Sequence, residues 1–396
     1  MSRFHSYLNT SATIIRQYNG TEPFASMLKK FFLAHKKCGS RDRKQISHLC
    51  YCYFRSGKMF SATNANTLET NIISALFLCT TEDNEMLSDL APELETLTTL
   101  PVKEKITLLQ QRNLIPAGDF IVLLFPWKEL LSKEIEYHLF ALSFFSQPDL
   151  FIRIRPGYKE SVMQQLKASG INYYTLGSNG IGLPNHTKTD EWFEINKEVV
   201  VQDYSSQIVQ ELLHPLYKSG HLNVWDCCAA SGGKSILAMD FLGDITLTVS
   251  DIRESILVNL HTRFKQAGIK KYTSFIADLT SPHIPADPKG YDLVICDAPC
   301  SGSGTWARTP EQLFYWQANK LEHYTVLQKK ITTAVLPFVK PGGYLLYITC
   351  SVFKNENEGI VDNILQHHGM ELLEMKILKG YNIKADTMFA ALLRKR

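Results

Sequence analysis

The chain has 396 residues, 45% of them hydrophobic and 20% charged, which is ordinary globular usage with room for two or three domains and a sizeable core. Its 42 basic and 39 acidic side chains leave a formal charge of +3, too little to point to nucleic acid by itself, and no apolar run approaches the roughly eighteen residues of a membrane span. Nine cysteines without a Cys-x-x-Cys pair indicate neither a disulfide scaffold nor a metal site, and with the polar start Met1 to His5 they suit reduced thiols in the cytoplasm. In chain order, residues 1–125 read as a helical, partly basic region. Between Pro23 and Asn66 there are nine lysines and arginines and a single acid, Asp42, whereas Thr81 to Lys105 holds seven acids and two lysines. Phe24, Met27, Leu28 and Phe31 recur at helical spacing, Gly39 is expected to end that helix and Ser40 to cap the next. Ile46, Leu49, Cys50, Tyr53 and Phe54 continue the pattern to Gly57, with Arg41, Arg43, Lys44 and Arg55 on the opposite face. That face suits either a solvated helix surface or phosphate contact, which positions a nucleic acid without reading its sequence.

Residues 126–200 read as a small α+β module. Leu150 to Arg155 alternates as a strand stopped by Pro156-Gly157, Lys159 to Ala168 is helical up to Gly170, and Ile171 to Leu176 and Val199 to Val201 add strands. Arg153, Arg155, Tyr173 and Tyr174 offer charge and stacking surfaces of the kind that hold single-stranded RNA, although aromatic residues in such strands more often belong to a core.

Residues 201–396 alternate strand, turn and helix, the pattern of an open parallel sheet. Leu222 to Trp225 is a strand that runs through Asp226 into Cys227-Cys228-Ala229-Ala230-Ser231-Gly232-Gly233-Lys234-Ser235 and a helix. Paired glycines let this backbone turn tightly and approach a ligand. The stretch lacks the Gly-x-x-x-x-Gly-Lys spacing of a phosphate loop. Strands over Ile245 to Val249 and Tyr272 to Ile276 deliver Asp251 and Asp278, positions suited to the ribose of a nucleoside cofactor. Two further apolar runs, Leu293 to Cys296 and Tyr344 to Ile348, end at Asp297-Ala298-Pro299-Cys300-Ser301-Gly302 and Thr349-Cys350-Ser351. Loops after such strands are where parallel sheets bind ligands, so both thiols can meet in one crevice. Cys227, Cys228 and Cys296 sit in apolar runs and read as buried small hydrophobes.

The glycine turn, Ser250-Asp251, Ala277-Asp278-Leu279, the Asp297 to Gly302 block, and Thr349-Cys350-Ser351 followed by Asn355-Glu356-Asn357-Glu358 resemble, in this order, the RsmB/Sun (Fmu) family of RNA cytosine-5 methyltransferases. Val201 to Gln207 is similar to the segment before the family's catalytic domain. The resemblance implies a Rossmann-like methyltransferase domain preceded by a small α+β RNA-binding module and a helical N-terminal region. It also implies S-adenosylmethionine as cofactor, held by Cys228, Ala229, Ala230, Ser231, Gly232, Gly233, Lys234, Asp251, Asp278 and Asp297. Cys350 is then the nucleophile, Cys300 assists release and Asp297 engages the base. Asn355 to Glu358 is expected to orient the Cys350 loop. The chemistry needs a thiolate, because carbon 5 of cytosine is a poor nucleophile until a thiolate adds to carbon 6. The sequence departs from the family pattern at Ser231, where proline is usual, and at Ile256 and Ala307, where arginines are usual. The expected partner is RNA, rRNA before tRNA, acted on by a monomer without membrane contact. An assembly factor that has lost catalysis and a small-molecule methyltransferase are the competing classes. The first is opposed by the intact Asp297, Cys300 and Cys350, and the second has no use for two thiols and a long basic region.

Overall fold

The computed structural model describes residues 2–60, 66–217 and 219–396. Its chain forms two compact units: Met1–Glu129 with Glu136–Gln147 and Trp306–Ala318, and Leu130–Ile135 with Pro148–Thr305 and Asn319–Arg396.

The first unit is helical. Helix Leu68–Cys79 is apolar almost all round and has Ile72, Ala75, Leu76 and Phe77 fully buried, as a central helix must. The buried Lys105 donates to the carbonyls of Phe77 and Thr80, satisfying acceptors that a helix C-terminus leaves open. Around it lie Arg3–Gln17, Phe24–Ala34 and Ser40–Arg55. The helix opening at Phe24 ends at Ala34, before Gly39, and Gly39 is itself the N-cap of the next helix. Its N–H donates to the Asp42 carboxylate at 2.7 Å, so the acid three residues on does the capping and Ser40 is simply the first helical residue. Arg41, Arg43 and Lys44 are exposed as expected. Arg55 is not: it is 5% exposed and donates to the carbonyls of Phe144 and Ser146. The tail of the basic stretch, 61–65, lies outside the described residues. Residues 306–318 contribute helix Glu311–Tyr315, whose Tyr315 ring meets Tyr18 edge-on at 5.0 Å. Trp127 likewise meets Trp306 at 5.5 Å and Trp316 at 4.8 Å.

The second unit holds two sheets. The smaller contains β1 (Leu150–Ile154), β2 (Tyr174–Leu176), β3 (Gly180–Leu183) and β4 (Val199–Val201) in the order β2-β3-β1-β4, all neighbours antiparallel. Helix Lys159–Ser169 covers it and stops at Gly170, which has φ +68°. Ile152, Ile154, Val162, Leu166, Ile181 and Val199 form its core. Arg153 of β1 and Arg155 just after it are not offered to a ligand. Arg153 is 3% exposed and bonds Asp240 at 2.7 Å, while Arg155 bonds the same carboxylate at 2.8 Å and also donates to the carbonyls of Asn196 and Ala267. A buried guanidinium needs such partners, and here they fasten the small sheet to the rest of the unit. Tyr173 packs against the small core, and Tyr174 lies over Gly182 with its hydroxyl on Asp149 at 2.8 Å.

The larger sheet has β5 (Leu222–Asp226), β6 (Ile245–Asp251), β7 (Tyr272–Ile276), β8 (Tyr291–Asp297), β9 (Val339–Thr349), β10 (Met370–Leu378) and β11 (Met388–Lys395). Their order is β10-β11-β9-β8-β5-β6-β7; β5 to β9 pair in parallel and β11 is antiparallel to both neighbours. This is the expected Rossmann-like α/β architecture. Helices Gly233–Leu242 and Glu254–Gln266 bury Ile236, Leu237, Leu260 and Phe264 against Val224, Leu247 and Val249. The chain leaves β5 towards β6 and β7, then returns to place β8 on the other side of β5. A crevice therefore opens at the carboxyl ends of β5 and β8, the switch point at which such sheets bind ligands. No helix among the described residues is long and apolar enough to cross a membrane.

Candidate active site

A cavity of about 530 Å³ lies at this switch point. It brings together Cys228, Ala230, Asp251, Asp278, Asp297, Cys300 and Cys350 from the sequence reading, and adds Ile252, Arg253, Leu279 and Thr280. Ala229, Ser231, Gly232, Gly233 and Lys234 are not on its walls; they shape it from behind. Ala229 N–H bonds the Ser250 carbonyl at 2.9 Å. Gly232 has φ +84°, and a Cβ there would sit 2.6 Å from the Phe264 ring, so only glycine fits. Ser231 accepts Arg263 on both its hydroxyl and its carbonyl, at 2.7 and 3.1 Å. That guanidinium braces the turn where the family's proline is missing. Lys234 bonds Ser206 at 2.7 Å and Asp297 at 3.0 Å, which makes it a holder of Asp297.

The acids differ in environment. Asp251, almost buried, accepts Ala230 N–H at 3.0 Å and both the backbone and the guanidinium of Arg253 at 2.9 and 3.1 Å. Arg253 thus supplies a cation three residues before Ile256, where the sequence comparison found none. Asp278 is exposed, and bonds from the Thr280 hydroxyl and backbone hold its carboxyl below the usual range. Asp226 faces the helix instead of the cavity. Ser235 donates to it at 2.6 Å, its other oxygen has no partner, and burial pushes its carboxyl up to about 7.

The two thiols meet. Cys300 Sγ and Cys350 Sγ are 3.3 Å apart, and the hydrogen bond between them, followed by burial, holds the Cys300 thiol well above the ordinary thiol range. Their loops are tied by Glu356, which is fully buried. Its carboxylate accepts Ser301 N–H at 2.7 Å, the Ser301 and Ser351 hydroxyls, and Gln328 Nε2 at 3.2 Å. Burial pushes this carboxyl up despite those donors. Asn357 accepts the Thr349 hydroxyl at 2.6 Å and donates to the Ser351 carbonyl and to Ser132 Oγ, both at 3.0 Å. Ser132 in turn donates to Glu358 at 2.8 Å. Gly304 completes the frame: its N–H bonds the Cys350 carbonyl at 2.9 Å, and an added Cβ would overlap the Thr387 carbonyl at 1.8 Å.

Residues 213–393 match the family described as 16S rRNA methyltransferase RsmB/F. This stretch, a little under half of the chain, is similar to that family. Its curated relatives include the ribosomal RNA small subunit methyltransferase B of Xylella fastidiosa, 30% identical over 216 residues that make up 53% of this chain and 49% of the relative. A probable methyltransferase of the same name from Synechocystis is 28% identical over 273 residues, 67% of this chain and 59% of its own. The chain thus spans about half the length of the first of these relatives. Among solved structures, PH0851 superposes with a TM-score of 0.68 at 19% identity over 98% of both chains. NSun6 from Pyrococcus horikoshii, crystallised with SFG, gives 0.57 at 16% identity over 68% of this chain and 96% of its own. At these identities the likeness is one of fold. The paired thiols thus stand on a Rossmann-like fold shared with these structures. Arg253, the Glu356 tie and the Ser206 to Lys234 bond are what sequence reading missed, although the Asn355 to Glu358 block, the Val201 to Gln207 segment and Lys234 itself had been singled out.

Proposed function

We propose that this chain transfers a methyl group from S-adenosylmethionine to carbon 5 of cytosine in RNA, with rRNA as the substrate. The observation that carries the reading is the pair of thiols 3.3 Å apart on the wall of the cavity that also presents Asp251 and Asp278. The donor set fits the cofactor: carboxylates at the ends of β6 and β7 suit ribose hydroxyls, and Ile252 and Leu279 offer apolar surface for a base. When bound, the cofactor supplies an electrophilic methyl group. Cys300 remains protonated and donates towards the Cys350 sulfur, stabilising a thiolate there. That thiolate adds to carbon 6 of the base, and Asp297, steadied by Lys234, engages the exocyclic amine and ring nitrogen as the ring becomes electron-rich. After methylation a solvent water takes the carbon 5 proton, the C–H electron pair re-forms the ring double bond, and the sulfur to carbon 6 bond breaks with its electron pair leaving on Cys350, where the Cys300 S–H stabilises the departing thiolate. The names of the relatives support rRNA as the substrate.

Two measurements test this. Bisulfite sequencing of total RNA from cells with and without the gene is expected to reveal a lost methylcytosine in rRNA; a site found in tRNA alone moves the substrate, and no lost site overturns the reaction. On a denaturing gel with radiolabelled RNA, Cys300→Ala is expected to accumulate a covalent adduct and Cys350→Ala to form none and turn over nothing. An adduct with Cys350→Ala alone reverses the two roles.

A further inference from the structure

Three more thiols cluster beside the same cavity and take no chemical step in the proposed reaction. Cys227 and Cys228 follow β5, Cys296 is in β8, and the parallel pairing of these strands is extended by Cys227 N–H on the Ile295 carbonyl at 2.9 Å. Although 296 is far from 227 in sequence, the three sulfur atoms all lie within 4.8 Å of one another. Cys227 and Cys296 are buried, whereas Cys228 is partly open, and both Cys227 and Cys228 line the cavity. An ion can reach the group from that side.

The spacing suits a metal. Zinc to sulfur bonds of about 2.3 Å hold neighbouring sulfurs about 4 Å apart, a contraction within reach of side-chain rotation. Thiolates select soft d10 ions over the hard cations that prefer oxygen. The ladder between β5 and β8 fixes the sulfurs before any ion arrives, which lowers the ordering cost of binding.

We propose that Cys227, Cys228 and Cys296 form a three-thiolate site for a soft divalent d10 metal ion, zinc or a congener, with its fourth position open to the cavity. On binding, three sulfur to hydrogen bonds are replaced by three sulfur to metal bonds, three protons leave to solvent, and no electron is exchanged. The ion bridges β5 and β8 at the switch point and stabilises the folded chain by mass action.

The test uses Cd²⁺ as probe and the full-length chain carrying Cys300→Ser and Cys350→Ser, which removes the thiol pair on the same cavity, and Cys52→Ser, which removes the partner of Cys79. One equivalent is expected to bind with a thiolate-to-cadmium charge-transfer band, a three-sulfur ¹¹³Cd resonance and a raised Tm. Adding Cys296→Ser is expected to abolish the three-sulfur signature and weaken binding at least about tenfold, the loss of roughly one metal–ligand contact. No bound Cd²⁺ at stoichiometric concentration, or a signature unchanged by Cys296→Ser, overturns the proposal. If circular dichroism finds that variant unfolded, Cys228→Ser on the cavity side decides in the same way: a surviving three-sulfur signature overturns it.

Discussion

Removing the Glu356 carboxylate is expected to weaken the fold and uncouple the two thiols at once. In Glu356→Ala the Ser301 N–H and one N–H of Gln328 Nε2, whose other stays on the Pro299 carbonyl at 2.9 Å, lose their acceptor, and each donor left unpaired in a buried place costs about 1–3 kcal/mol. The hydroxyls suffer less. Ser301, Ser303 and Ser351 lie 3.1 to 3.2 Å from one another and can bond among themselves. The expected loss of stability is therefore about 2–5 kcal/mol, the upper part coming from the void left by the side chain. With the Cys300 and Cys350 loops no longer tied, their sulfurs drift, and misplacement by about 1 Å is enough to cost roughly a hundredfold in rate. Because Glu356 is not on the cavity wall, cofactor affinity is expected to change by less than about threefold, under 1 kcal/mol. Urea unfolding, methyl transfer to RNA and calorimetric titration of S-adenosylmethionine measure the three quantities. A stability loss below about 1 kcal/mol together with near wild-type turnover would refute the reasoning, since it falls inside the range of ordinary surface changes.

Asp251→Ala is expected to weaken S-adenosylmethionine binding by roughly one to two powers of ten in calorimetry, at about 1.5–3 kcal/mol for hydrogen bonds to a charged group; unchanged affinity means the cofactor lies elsewhere. Asp240→Ala leaves Arg153 and Arg155 buried without their shared carboxylate and is expected to cost about 3–5 kcal/mol in urea unfolding, with a loss below about 1 kcal/mol counting against the buried ion pair as a tie. Asp226 is protonated more readily in the folded state, at about 7 against a usual 3.8, so the native chain holds its proton across that window and this group's contribution to stability falls as pH rises through it. Asp226→Asn is expected to remove that slope and to gain on the wild type between about pH 4 and 7, by up to about 4 kcal/mol on an order-of-magnitude reckoning; parallel stability curves for the two proteins count against it.

The parallel strands and the residues after them were legible because apolar runs of five to seven residues ended in acids and cysteines, as β5, β6 and β8 show. β3 was not. Gly180-Ile181-Gly182-Leu183 is short and half glycine, a composition that local propensity reads as turn. The arginines misled for a different reason. Arg55, Arg153 and Arg155 look like surface cations in any window of sequence, and their acceptors at Phe144, Ser146 and Asp240 are about ninety residues away. Burial of a charge depends on partners that only the fold supplies. The Glu356 tie shows the intermediate case: its block announced a role near Cys350, but the reach to Ser301 depends on β8 and β9 being neighbours.

Residues 306–318 are numbered between the strands of the larger sheet yet belong to the helical unit. Trp306, Leu313 and Trp316 are almost wholly buried there. During synthesis the helical unit therefore cannot close when residue 147 of the chain has emerged; it waits for the chain to pass position 318. A fragment cut after the early helices would keep an unfilled core, and one beginning there would carry two tryptophans stripped of their cover, a sticky loop on any shortened expression product.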